Sequence, residues 1–222
     1  MPNILRPDLA LRVFEAGAIQ FGMFHLHLHE TRPDAPPSPI YCNFRASPAG
    51  PLSSDDVDAL GKGVLHQRAR LDGVRYEAVE GIPRAGVPRA ESFAEVAAVP
   101  HYGLLHKEES GTGRISCVEA KRHKAEIWAR VIPERMLLID DVVTEAHSAI
   151  EAVQAMRSLG FSVTDVLVLV DREQGGEKAL AEAGLTLHAS WRLSELLRFY
   201  RERQLITEGK YQEVLAYLRV NR

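Results

Sequence analysis

Four consecutive apolar residues, Met136 to Ile139, are too few for a helix and suit a strand buried on both faces, as in a parallel sheet. Two carboxylates, Asp140 and Asp141, end the run. From Ser148 the period changes: Ile150, Val153, Met156 and Leu159 recur every three residues on one helical face, with Gly160 in the position of a C-terminal cap. The segment predicts a strand, an acidic pair, a tight loop and a helix.

The same patterns order the remainder of the chain. Asp8 caps a first helix in which Leu9, Val13 and Phe14 share a face. Phe24, Leu26 and Leu28 then alternate with His25, His27 and His29, the period of a half-buried strand. Four prolines in 31–39 predict an irregular loop to a second strand. Ser53 and Ser54 followed by Asp55, Asp56 and Asp58 signal a helix start, and the helix runs to near Leu71 with Gly61 and Gly63 interrupting its middle. Further strands are predicted at 76–79, 101–105, 166–170 and 185–188. Helices are predicted through Phe93 and Val96 and over 177–183, 193–205 and 207–218. No repeat, low-complexity tract or linker divides the chain, so 1–222 reads as a single α/β domain closed by terminal helices over 193–222.

Composition narrows the function classes. With 222 residues and 45% hydrophobic content, the chain can bury a substantial core. A net charge of -3 leaves no basic excess for a nucleic-acid backbone, so small molecules and protein chains are the expected partners. Only two cysteines, Cys42 and Cys117, occur, which fits a reducing compartment. No apolar run is long enough for a membrane span, and Arg6, Asp8, Arg12 and Glu15 interrupt the N-terminus where a secretory signal needs an apolar core. The expectation is a cytoplasmic protein.

The central unit also carries chemistry. Asp140 and Asp141 sit at a strand's carboxyl end, where α/β sheets hold ligands. The loop Thr144, Glu145, Ala146, His147, Ser148 lies at a helix N-terminus whose free N–H groups and dipole favour an anion such as phosphate. Two carboxylates beside a phosphate call for hydroxyl donors or a cation, and a phosphorylated sugar with vicinal hydroxyls and Mg²⁺ supplies both. An acidic pair that only caps and solvates a strand end remains the plain alternative. The stretch Gly81 to Arg89 pairs glycines that admit a ligand to the backbone with the forked donor Arg84, or is a strand-to-helix turn with exposed arginines. The three histidines at 25, 27 and 29 lie roughly 6.6 to 7 Å apart along one strand face, too splayed to close on one ion, so no metal site is predicted there.

Leu137 to Ser148 resembles the phosphoribosyl-pyrophosphate motif of type I phosphoribosyltransferases. Phe21-Gly22-x-Phe24, Ser38-Pro39-Ile40-Tyr41 and Val170 to Gly176 make the resemblance specific to the orotate phosphoribosyltransferases, in order from about Leu11 to Leu218. The resemblance implies a central, mostly parallel sheet flanked by helices, with a small hairpin hood from about 1–50. It also implies a homodimer, and Mg²⁺ arriving on the substrate. By the same likeness Asp140 and Asp141 hold ribose hydroxyls, 144–148 the 5-phosphate, and Arg84, Ala85, His106 and Lys107 the pyrophosphate. Arg172, His27 and Tyr41 are then placed at the base, and Lys107 joins the acidic pair as a catalytic group.

Several positions depart from the family pattern. His27 stands where a lysine contacts orotate, His106 and Ser110 replace an arginine and a lysine of the mobile catalytic loop, and Ala146 replaces a glycine. Lys121, Arg122 and Lys124 offer substitute cations, or form a solvated face. If the glycine position needs positive φ, alanine there costs roughly 1 to 2 kcal/mol. The reading is an enzyme transferring 5-phosphoribosyl to orotate. Its rivals are a diverged paralogue acting on another base and a non-catalytic binder of phosphoribosyl pyrophosphate.

Overall fold

The computed structural model describes residues 4–25, 34, 36–108, 114–118, 121 and 135–221. Pro7 opens α1 (Pro7–Glu15), which buries Leu9, Ala10 and Val13. Asp8 does not cap this helix; it lies in the first turn and its carboxylate takes the Arg6 guanidinium at 2.7 Å. β1 (Ile19–Phe24) and β2 (Ser38–Cys42) pair antiparallel. The paired strand thus precedes the predicted histidine alternation, whose residues from Leu26 to His29 lie outside the described part. β2 begins at Ser38, so Pro39 belongs to a strand; a two-stranded ribbon is all edge and has room for a residue without an N–H.

Ser53 caps α2 (Ser54–Ala59) reciprocally: its hydroxyl accepts from the Asp56 N–H and the Asp56 carboxylate from the Ser53 N–H. A π-helical stretch (Leu60–Leu65), where Gly61 and Gly63 fall, carries the chain into α3 (His66–Leu71). β3 (Ala78–Gly81) then turns into α4 (Gly86–Ala97). The strand predicted at 101–105 reduces to one bridge between Val79 and His101. The cause is a side chain: buried Glu80 takes the Leu104 and Leu105 N–H groups at 2.8 and 3.4 Å, so they are not free for a ladder. The chain instead forms β4 (Leu105–Lys107), antiparallel to β5 (Ile115–Cys117).

β6 (Arg135–Val143), α5 (His147–Ser158), β7 (Ser162–Asp171), α6 (Gly176–Glu182), β8 (Thr186–Arg192), α7 (Leu193–Glu202) and α8 (Glu208–Val220) complete the chain. β3, β6, β7 and β8 form one parallel sheet in that order. Both faces are covered, which is why β6 and β7 read as continuous apolar runs. One layer sets Leu137, Ile139, Leu167 and Leu169 against Phe93, Leu196, Tyr200 and Val214; the other sets Met136, Leu138, Val166 and Val168 against α5. The buried face of α5 is Ala149, Ala152, Val153 and Met156, an i, i+3, i+4, i+7 stripe, and Ile150 stays half-buried. A strict three-residue spacing drifts off a 3.6-residue helix, so the predicted stripe was one position out at its start.

Candidate active site at the carboxyl end of the second parallel strand

β6 does not stop at the acidic pair; it pairs with β7 as far as Val143, with Asp140 opposite Val168. Its side-chain alternation slips across the pair. Leu137 and Ile139 share a layer with Val142, whereas Met136 and Leu138 share one with Val143. A regular strand would send consecutive residues to opposite faces. Here Asp140 Oδ1 accepts from the Asp141 N–H at 2.8 Å. Desolvation, then the Asp141 carboxylate, push Asp140 well above the usual carboxylate range.

Beyond Val143 the chain turns through Thr144 and Glu145 to Ala146, which has φ 65° and precedes the first helical residue of α5. The left-handed conformation asked of a glycine there is thus adopted by alanine. The N-cap residue Ala146 offers no side-chain cap, and the first amides of α5 lie at the end of the helix that favours an anion. His147 is exposed, with Nδ1 3.8 Å from Glu145 Oε2.

The turn after β3 abuts this strand. Ile82 N–H donates to Ile139 C=O at 2.8 Å, and a Cβ on Gly86 would lie 2.2 Å from that oxygen, so only glycine fits. Arg84 is exposed on the turn, after a cis Pro83–Arg84 bond, with Ala85 half-buried beside it. Arg89 is 1% exposed, against the alternative of a turn with exposed arginines, with Nη1 2.7 Å from Ala85 C=O and Nη2 on Phe44 C=O. A sequence signal existed: in α4 Arg89 lies four residues before Phe93 on the stripe that also carries Ala90 and Ala94.

From the other side, Arg172 N–H donates to Val143 C=O at 3.0 Å, placing the end of β7 beside the loop. A Cβ on Gly176 would sit 2.8 Å from Thr144 C=O, so this approach also needs glycine. The Arg172 side chain is buried and reaches Ser38 in β2. Cys42 feels both Arg172 and Asp141, and burial pushes its thiol up to about 11, so it is held neutral. Tyr41, on the opposite face of β2 from Ser38 and Cys42, packs its ring 5.5 Å from Phe24. Gln174, within the 170–176 motif but given no role from sequence, is buried, and among the described residues neither its Oε1 nor Arg172 Nε has a hydrogen-bond partner.

His106 and Lys107 lie on β4, apart from the main sheet, and among the described residues neither makes an ion pair with Asp140 or Asp141. The hairpin is tied to α5 by Ile115 N–H on Glu151 Oε2 at 3.2 Å. Lys121 is engaged with Tyr102 and Gly103 carbonyls at 3.1 and 2.9 Å. His27, Ser110, Arg122 and Lys124 lie outside the described residues. Two surface clefts of about 510 Å³ and 400 Å³, one between α7 and α8 and one beside α2, border neither acidic residue. Among the described residues no three His, Cys, Asp or Glu side chains gather as a metal site.

No family profile matches the chain. It is 31% identical to an orotate phosphoribosyltransferase of Methanoculleus marisnigri over 189 residues, covering 85% of this chain and 96% of that one. It is 33% identical to the Halobacterium salinarum orotate phosphoribosyltransferase over 190 residues, 86% and 95% of the two chains. The crystal structure of orotate phosphoribosyltransferase from Aeropyrum pernix superposes with a TM-score of 0.67 at 25% identity, over 90% of this chain and 99% of that one. The parallel sheet, with the acidic pair near the carboxyl end of β6 and a loop leading into α5, is the type I phosphoribosyltransferase fold. The chain belongs to the orotate phosphoribosyltransferase family.

Proposed function

We propose that the protein transfers 5-phosphoribosyl from phosphoribosyl pyrophosphate to orotate, releasing pyrophosphate, a step of pyrimidine nucleotide biosynthesis. One observation carries the reading: β6 delivers two carboxylates to the place where the uncapped start of α5 and the turn after β3 both open. Acids at the middle and backbone donors on either side match a sugar with a phosphate at each end.

In this reading Asp140 and Asp141 accept the ribose hydroxyls, the amides of 144–148 the 5-phosphate, and Arg84, Ala85, His106 and Lys107 the pyrophosphate. Arg172 orients the base; His27 and Tyr41 complete that end. Displacement at C1 passes through an oxocarbenium-like transition state, so fixed charges and exclusion of water do the work and no covalent enzyme intermediate is needed. In this reading Mg²⁺ would arrive on the pyrophosphate, as the family resemblance implies. Carried there, it would offset the charge of the departing group. The protein is further read as a cytoplasmic homodimer with no nucleic-acid or membrane partner; no described helix is long and apolar enough to cross a membrane.

The test is pyrophosphate release from phosphoribosyl pyrophosphate and Mg²⁺ with orotate, beside other nucleobases. Release with orotate supports the assignment. Release with another base moves it to a paralogous transferase, and saturable binding without release moves it to a non-catalytic binder.

A further inference from the structure

Arg89 is a buried cation that the catalytic scheme does not use. It is 1% exposed, in the first turns of α4. Its fork reaches two carbonyls far apart in sequence, Ala85 in the turn after β3 and Phe44 just past β2, while among the described residues Nε has no partner. Among the described residues no carboxylate lies within ion-pair distance, and the negative charges it feels are those of Asp141 and Asp140. An apolar side chain would fill the same stripe beside Ala90 and Phe93 without burying an unpaired charge. The arginine therefore has to be explained by what its fork holds. A planar guanidinium fixes two carbonyls at a set angle, which one ammonium cannot do.

We propose that Arg89 is the positioning residue of the pyrophosphate turn: it locks 82–86 against the segment after β2, so that the Arg84 and Ala85 backbone is preset for a magnesium-bound pyrophosphate. The role rests on the phosphoribosyl-pyrophosphate reading of the site. It acts through Ala85, so its effect is selective for the pyrophosphate end of the ligand. The 5-phosphate end is held by the start of α5; there Arg89 acts only through its charge, which lowers Asp140, so its removal adds a smaller loss common to both probes.

The experiment is calorimetry of wild type, Arg89→Met and Arg89→Lys with two probes, phosphoribosyl pyrophosphate plus Mg²⁺ and ribose 5-phosphate. Arg89→Met is expected to weaken the first by about tenfold or more and the second by less than about threefold, with Arg89→Lys between wild type and Arg89→Met. Equal losses for both probes, or Arg89→Met within about twofold of wild type on the first, overturn the role. If Arg89→Met does not fold, Arg89→Lys decides: a selective loss of about threefold supports it, and parity with wild type overturns it. Wild type that binds ribose 5-phosphate but not phosphoribosyl pyrophosphate overturns the functional reading as well. Wild type that binds both while the variants match it overturns the role of Arg89 alone.

Discussion

Arg172 donates from Nη2 to the Ser38 hydroxyl at 3.2 Å, joining the end of β7 to the start of β2 across 134 positions of sequence. The guanidinium is buried and among the described residues its Nε has no hydrogen-bond partner, which leaves Ser38 as the described side chain that aims it. Ser38→Ala leaves a buried cation with one partner fewer, at a cost of about 1.5 to 3 kcal/mol in stability. The same change is expected to raise KM for the base severalfold while leaving the affinity for phosphoribosyl pyrophosphate within about twofold. Thermal unfolding and steady-state kinetics check the two halves.

Ala146 holds φ 65° at the point where the loop enters α5. Ala146→Gly removes roughly 1 to 2 kcal/mol of strain but adds about 0.4 to 1 kcal/mol of unfolded-chain freedom. The net expectation is stabilisation of about 0.5 to 1 kcal/mol. Phosphate affinity should be equal or better. Chemical denaturation with ribose 5-phosphate binding is the check.

Glu80 is fully buried beneath the segment that leads into β4, and desolvation raises it from 4.5 to about 7. Between those values the folded chain keeps a proton that the unfolded chain has released. The contribution to stability is therefore full below pH 4.5 and lost as pH rises through 7. Glu80→Gln keeps an oxygen for the Leu104 and Leu105 amides without a charge. It should match wild type near pH 4 and exceed it by up to roughly 3 kcal/mol at pH 8. His101, 3.8 Å away and lowered by burial, titrates with the opposite sign: its share is present above its ordinary 6.5 and falls with pH. Thermal melts of both proteins check the difference, which reads Glu80 at pH 8, where His101 is neutral folded and unfolded.

Asp141 holds Asp140 up, second only to desolvation. Gripping sugar hydroxyls needs the ionised form, so ligand affinity in the wild type should rise with pH through the raised titration of Asp140. Asp141→Asn removes the neighbouring charge, weakens binding, and moves that rise to lower pH. Calorimetry across pH reads both the affinity and the proton released on binding.

Much of this architecture was legible from period alone. Met136 to Ile139 had to be a strand covered on both sides, and the acidic pair and the loop to Ser148 followed in the order found. What period could not carry was long-range partnership. Glu80 suppresses a strand at 101–105 by taking amides two dozen residues away, and Arg89 is buried by carbonyls from Phe44 and Ala85. The slip of alternation across Asp140 and Asp141 was equally hidden, because in sequence the pair only marks the end of an apolar run. Asp8 shows the reverse error: a good capping residue was outcompeted by Arg6, two positions earlier.

The paired carboxylates of β6 are proposed to hold a sugar bearing phosphate at both ends. Titration of phosphoribosyl pyrophosphate with Mg²⁺ into wild type and the Asp140→Asn, Asp141→Asn double variant tests it most directly. Saturable binding by the wild type, weakened by about tenfold or more in a folded double variant, is the predicted result. Equal affinity in the two proteins, or no binding by the wild type, would contradict it.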